Sequence, residues 1–212
     1  MKPGKESPEL KNAISVQRMR ESDAYTIAHH TSGRELMQRA ASGVYQSLDW
    51  TGKTAAIVAG SGNNGGDGYA LASILHDAGI ESRVYRTSDK FSADGAFYHD
   101  MAKEKGIPIC AFSDNETFEG FDIIVDCILG TGFTGVPRGV PAAAIRAINA
   151  SGAYVVSVDI NSGLNGDTGE AELAVRSDLT VSIGYYKTGH FLGRAPELIG
   201  ELVNVDIGIV LV

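Results

Sequence analysis

The sequence predicts an α/β protein whose mostly parallel sheet is covered by helices on both faces. Three observations carry this. Short apolar runs alternate with segments of helical period, the pattern of strands buried on both sides. Glycines stand where the helical segments stop. Three of the apolar runs break into a glycine or an acid, at Gly60, Asp126 and Asp159, so special residues collect where strands end.

The elements follow in order. Residues 1–12 are polar, carry two prolines and read as a loose tail. Ser15–His30 has helical period, with Val16, Met19, Ala24 and Ile27 near one face. Gly33–Leu48 is a second helix, and the pair reads as an N-terminal extension packed on the α/β core. Thr54–Ala59 is the first strand, Gly60–Gly68 a loop, and Tyr69–Ala78 a helix whose stripe is Ala70, Leu71, Ile74, Leu75 and Ala78. Ser82–Arg86 and Ile107–Ala111 are strands flanking a helix at Ala93–Lys105. Phe121–Val125 is a strand ending at Asp126, followed by the glycine-rich loop Gly130–Val136 and a helix at Pro141–Ala150. Tyr154–Val158 ends at Asp159. Leu179–Ile183 and Leu202–Ile207 complete the sheet. No internal boundary is visible, so residues 13–212 read as one domain.

Composition narrows the function. The chain has 212 residues, 43% hydrophobic and 21% charged, with a net charge of −8. That balance argues against a nucleic-acid or anionic-membrane surface, which needs clustered cations. It leaves room for a small anionic ligand, because backbone N–H groups can hold a phosphate. No apolar run is long enough to span a membrane, and no signal peptide is visible. Cys110 and Cys127 read as reduced thiols, the latter buried and inert, so a cytoplasmic location is expected.

The polar residues at the strand ends carry the chemistry. Gly60-Ser61-Gly62-Asn63-Asn64-Gly65 contains G-x-G-x-x-G between a strand and a helix. An ordinary dinucleotide fold would add an acid at the end of the second strand. Glu81 precedes that strand and Asp89 follows late, so the NAD-dehydrogenase reading is rejected. Five glycines in nine residues, with Asn63, Asn64 and Asp67 among them, exceed what a plain turn needs. Asp126 either ties down its own loop or contacts a cation or substrate. Asp159 is either a loop cap or a general acid/base. Lys187 follows the Leu179–Ile183 strand and either reaches the same rim or stays solvated. The oxygens of Asn64, Asp126 and Ser162 suit a hard or weakly held cation rather than zinc, and the five histidines have no metal-ligand spacing. No G-x-S-x-G elbow is present.

Taken together, these segments resemble the YjeF N-terminal domain family, the NAD(P)H-hydrate epimerases. The strongest piece is Gly62-Asn63-Asn64-Gly65-Gly66-Asp67-Gly68. Val125-Asp126 with Gly130-Thr131-Gly132, Val158-Asp159-Ile160 with Ser162-Gly163, Asp167-Thr168-Gly169 and Tyr186-Lys187-Thr188-Gly189 support it in order. The resemblance runs from about Ile14 onward. It implies a three-layer α/β/α sandwich of Rossmann-like form, a homodimer, and epimerisation of NADHX or NADPHX ahead of a separate dehydratase. It implies substrate contacts at Asn63, Asn64, Gly65, Gly66, Asp67, Gly130, Thr131, Gly132, Phe133, Thr134, Gly135, Val136 and Asp159. Asn64, Asp126 and Ser162 would hold a potassium ion. Asp159 is the expected acid/base at the C6 hydroxyl, with Lys187 a second catalytic candidate.

Two departures stand out. The family's Leu-Met-Glu-Asn-Ala-Gly is here Leu36-Met37-Gln38-Arg39-Ala40-Ala41, and its Asp-Ile-Pro-Ser-Gly is Asp159-Ile160-Asn161-Ser162-Gly163. They leave open a non-catalytic nucleotide-binding or interaction module on the same fold. A transferase acting on a related nucleotide is disfavoured, since the chain offers no distinct nucleophile or basic clamp.

Overall fold

The computed structural model describes Leu10 and residues 12–212; the remaining residues of the expected tail lie outside the described part. Seven strands form one sheet: β1 Ala55–Ala59, β2 Ser82–Arg86, β3 Ile109–Ala111, β4 Ile123–Cys127, β5 Tyr154–Val158, β6 Leu179–Ile183 and β7 Glu201–Val205. Their order is β3-β2-β1-β4-β5-β6-β7. Every pairing is parallel, so the expected mostly parallel sheet is wholly so. Strands as apolar as Ala55–Ala59, buried at every position, must be covered on both sides.

Alternate residues of β1, β4 and β5 feed two cores. Ala55, Ile57, Ala59, Val125, Cys127 and Val156 pack on one face with Leu36 and Met37 of α2 (Gly33–Gln46) and Tyr69, Leu71 and Leu75 of α3 (Asn63–Asp77). Ala56, Val58, Ile124 and Val155 pack on the other with Ala144, Ile145 and Ile148 of α5 (Gly139–Ala150). α4 (Ala93–Glu104) packs against α3, contributing Tyr98 and Ala102 to the first core.

The N-terminal helix α1 (Val16–His29) is fastened by polar bonds rather than a large apolar face. Ser15 caps it, and Asp167 Oδ1 accepts from Val16 N at 2.7 Å. Ile14 N donates to Tyr186 O (2.8 Å) and Thr188 N to Ile14 O (3.1 Å). At its far end the buried hydroxyls of Ser22 and Thr26 accept from Val212 N and Val210 N. α1 is therefore fixed beside the segment that follows β6.

Three element expectations need correction. Gly60–Gly68 is not all loop: α3 begins at Asn63 with Gly62 as its N-cap. A Cβ on Gly65 would stand 2.1 Å from Gly60 O, and one on Gly66 would stand 2.5 Å from Met37 Cε. The glycines let the first turns of a helix lie against β1 and α2, and low glycine helix propensity hid this. Asp126 lies inside β4, not after it; its partner across β5 is Ser157, so a polar pair replaces an apolar one. The last strand is Glu201–Val205, earlier than Leu202–Ile207.

Candidate active site

β1 and β4 are neighbours, yet β2 and β3 extend from β1 in the opposite direction. The chain thus reverses between them, and a crevice opens at their carboxyl ends, where open parallel sheets bind ligands. A cavity of about 480 Å³ occupies it. One wall is Ser61–Asn64 and Asp67 from the start of α3. A second is Ile128–Phe133 after β4. Asp159 and Lys187 form the floor. Met19, Asp23 and Ile27 of α1, with Leu36, Met37 and Ala40 of α2, close the side.

The floor is built by a strained residue. Asp159 follows β5 with φ at +68°, a conformation a non-glycine side chain adopts at a cost. Its carboxylate pairs with the Lys187 ammonium, whose side chain is 1% exposed. Lys187 Nζ also donates to Ile183 O (2.8 Å). The solvated reading of Lys187 is thereby overturned: Lys187 sits at the turn that Ile14 and Thr188 clamp, and the turn carries its stem inward. His190, on a short 3₁₀ turn (Thr188–Phe191), supports the pair. Its Nδ1 accepts from Lys187 N (3.2 Å), so Nε2 carries the hydrogen and donates to Asp159 O (3.0 Å). Burial, then the Lys187 charge, lower its pKa to about 4, in keeping with a neutral ring.

Carboxylates dominate the rest. Burial pushes Asp67 well above the ordinary carboxylate range, and the charges of Asp159 and Asp23 add to it, with Lys187 opposing. Burial and Asp159 also raise Asp23. Arg20, exposed at the mouth, lies against Gly132.

Behind the second wall, Asp126 is fully buried. It accepts from Ser157 Oγ (2.9 Å), Ser162 N (2.9 Å), Ser162 Oγ (2.5 Å) and Ile128 N (3.2 Å). Burial raises its pKa in spite of these bonds. Ser162 Oγ also accepts from Leu129 N (2.8 Å), and Asn64 Nδ2 donates to Leu129 O (3.1 Å). Asn64 Oδ1, by contrast, is buried without a partner. Among the described residues no group of three or more His, Cys, Asp or Glu could hold a metal.

The structure brings Asn63, Asn64, Asp67, Gly130, Thr131, Gly132, Phe133, Asp159 and Lys187 to one cavity. Gly65 and Gly66 are buried beneath it, while Thr134, Gly135 and Val136 lie exposed beyond its lining. Sequence reasoning missed Asp23, Ser157 and His190. Asp23 had a signal: it shares a helix face with Met19 and Ile27, at spacings of four, so an acid interrupts an apolar stripe. The two departures also resolve. Gln38 and Arg39 are absent from the lining; Arg39 instead donates to Ile207 O (3.1 Å) and pairs with Glu35 (3.2 Å). Asn161 is fully buried, its amide reaching Val175 O, Ser177 Oγ and Leu198 O while Oδ1 accepts from Thr180. These hydrogen bonds fix the turn that carries Asp159 and Ser162.

Residues 33–189 match the family described as YjeF-related protein N-terminus. The chain belongs to this family. An NAD(P)H-hydrate epimerase of Limosilactobacillus fermentum is 35% identical over 92% of the chain and 96% of that protein. A bifunctional NAD(P)H-hydrate repair enzyme of Coxiella burnetii is 32% identical over 91% of the chain, which spans only 41% of that enzyme's length. The crystal structure of yeast YNL200c shares the fold, with a TM-score of 0.74 over 91% of this chain and 86% of its own, at 20% identity. The YjeF-related match begins at Gly33, so α1, with Asp23, lies outside the matched span.

Proposed function

We propose that this chain is an NAD(P)H-hydrate epimerase, acting on NADHX or NADPHX beside a separate dehydratase. The observation that carries this is the Asp159–Lys187 pair at the floor of the crevice, in a chain that matches an NAD(P)H-hydrate epimerase over 96% of that protein's length. The helix wall suits the nucleotide: Gly62 gives α3 no side-chain cap, leaving its first N–H groups for a phosphate.

The chemistry requires no hydride acceptor. The ring nitrogen expels the C6 hydroxyl, leaving a cationic C=N bond, and water returns to either face. A carboxylate held by a buried ammonium suits two tasks, stabilising that cation and accepting the proton of the entering water. Lys187 fixes Asp159 for both, and His190 fixes its backbone.

A potassium ion is part of the same reading. The orphaned, buried Asn64 Oδ1 beside a lone carboxylate and neutral oxygens fits a weakly held monovalent cation. Asn64, Asp126 and Ser162 would hold it. When bound, it would offset the buried carboxylate's charge and rigidify the turn after β4. A homodimer also belongs to this reading; sedimentation equilibrium checks it.

The test supplies the purified protein with the R epimer of NADHX, an S-specific dehydratase and potassium. NADH recovery faster than spontaneous epimerisation is the expected outcome. No acceleration sinks the reading, and tight nucleotide binding in that same sample would favour the non-catalytic module.

A further inference from the structure

Four carboxylates line a cavity that offers one buried ammonium. Asp159 carries its charge against Lys187. Asp23, on α1, and Asp67, on the second turn of α3, have no ion-pair partner among the described residues. The remaining charged groups at the cavity do not supply one. Arg20 stands exposed at the mouth, and Asp94 of α4 pairs with Arg34 (3.5 Å). His190, behind Asp159, has both ring nitrogens engaged. Asn64, 7% exposed and with an unpartnered Oδ1, marks the same wall as ligand space. Like charges that line one partly enclosed cavity disfavour each other's ionisation.

We propose that Asp67 is the general acid of the epimerisation and that Asp23, which lines the same cavity, tunes it, a role that rests on the epimerase reading. Burial and neighbouring negative charge favour the protonated form of each. Asp159, paired with Lys187, is the acceptor in this direction, so donor and acceptor are separate groups.

The step balances. The Asp67 carboxyl gives its proton to the C6 hydroxyl oxygen. The N1 lone pair forms the N1=C6 bond as the C6–O bond breaks, and water leaves. Water then adds to the other face of C6, the N1=C6 electrons return to N1, and Asp159 takes the released proton. Exchange with solvent removes the proton from Asp159 and returns one to Asp67, and nothing is oxidised or reduced. The reverse direction exchanges the two roles.

The experiment is a carboxyl NMR titration of the full chain labelled with ¹³C-aspartate, without substrate, for wild type, Asp67→Asn and Asp23→Asn. Wild type should show one cavity carboxyl still protonated at neutral pH. That signal should vanish in Asp67→Asn and titrate at lower pH in Asp23→Asn. In turnover of R-NADHX, Asp67→Asn should lose about 10²–10⁴-fold in kcat. Asp23→Asn should move the alkaline limb of kcat/KM to lower pH. A wild-type spectrum with every cavity carboxyl ionised at neutral pH overturns the proposal whatever the activity. Wild-type turnover that both variants keep, with an unmoved pH profile, overturns it alone. A wild type that fails to epimerise removes the epimerase reading and the acid role together.

Discussion

Asp159, Lys187 and His190 form a unit in which each residue fixes the next. The ammonium holds the carboxylate, the imidazole holds the backbone on either side of it, and a left-handed turn presents the carboxylate to the cavity. The neutral ring has a measurable cost in acid. With its pKa at about 4 in the fold against 6.5 outside, His190 binds fewer protons folded than unfolded between those values. Its stabilising share is therefore complete above pH 6.5 and lost as pH falls toward 4. At 1.36 kcal/mol per unit this is about 3 kcal/mol. Urea unfolding from pH 7 to pH 4 should show that loss in wild type, with a shallower slope in His190→Gln. Equal slopes would mean the ring is not held neutral. Asp67 acts in the opposite sense: its raised pKa makes the native state bind the extra proton, so its share is present at low pH and declines as pH rises. Comparing variants at one site isolates each contribution. The sequence displayed Asp159 and Lys187 but not their contact. A buried lysine is legible only once the turn at Tyr186-Lys187-Thr188 is known to be clamped against Ile14.

At the scale of elements, strands were the most readable, because apolar runs such as Ala55–Ala59 and Tyr154–Val158 have few other uses. The start of α3 was the least readable, because its glycines argue locally against helix. Their reason is steric and lies in distant neighbours. Gly65→Ala would press a methyl onto the Gly60 carbonyl, forcing α3 away from β1. It should destabilise by about 1–3 kcal/mol and weaken nucleotide binding with it. Gly62 is different, since a Cβ there meets nothing within 4 Å. Gly62→Asp should add a few tenths of a kcal/mol by capping α3, yet weaken nucleotide binding, because its carboxylate takes the N–H groups a phosphate would use. Thermal unfolding and titration calorimetry separate the two effects. A Gly62→Asp protein that binds nucleotide as wild type does would show that the phosphate lies elsewhere.

Across the whole molecule, one sheet order explains why residues 63, 130, 159 and 187 meet. The parallel sheet sends every strand's end to one rim, and the reversal between β1 and β4 opens the crevice there. A sheet covered on both faces was legible from the alternation of apolar runs with helical segments, and the rim from the strand endings. The α1 wall was not, because its anchoring runs through Asp167, Val210 and Val212, residues with no periodic signature. A cation in the Asn64–Asp126 region would stabilise the native state by mass action. The unfolding midpoint should therefore rise with potassium chloride above its value in choline chloride of the same ionic strength, and Asn64→Ala should abolish the difference. Identical midpoints in the two salts would remove the ion. Among described residues no helix is long and apolar enough to cross a membrane. The most direct test of the central claim needs no coupling enzyme. Purified R-NADHX is incubated with the protein, and both epimers are followed by chromatography. Wild type should bring them to equilibrium far faster than buffer, and Asp159→Asn should bind the nucleotide but slow that approach by about 10²–10⁴-fold. An approach to equilibrium at the buffer rate with wild type, or an unchanged rate in Asp159→Asn, would contradict the account.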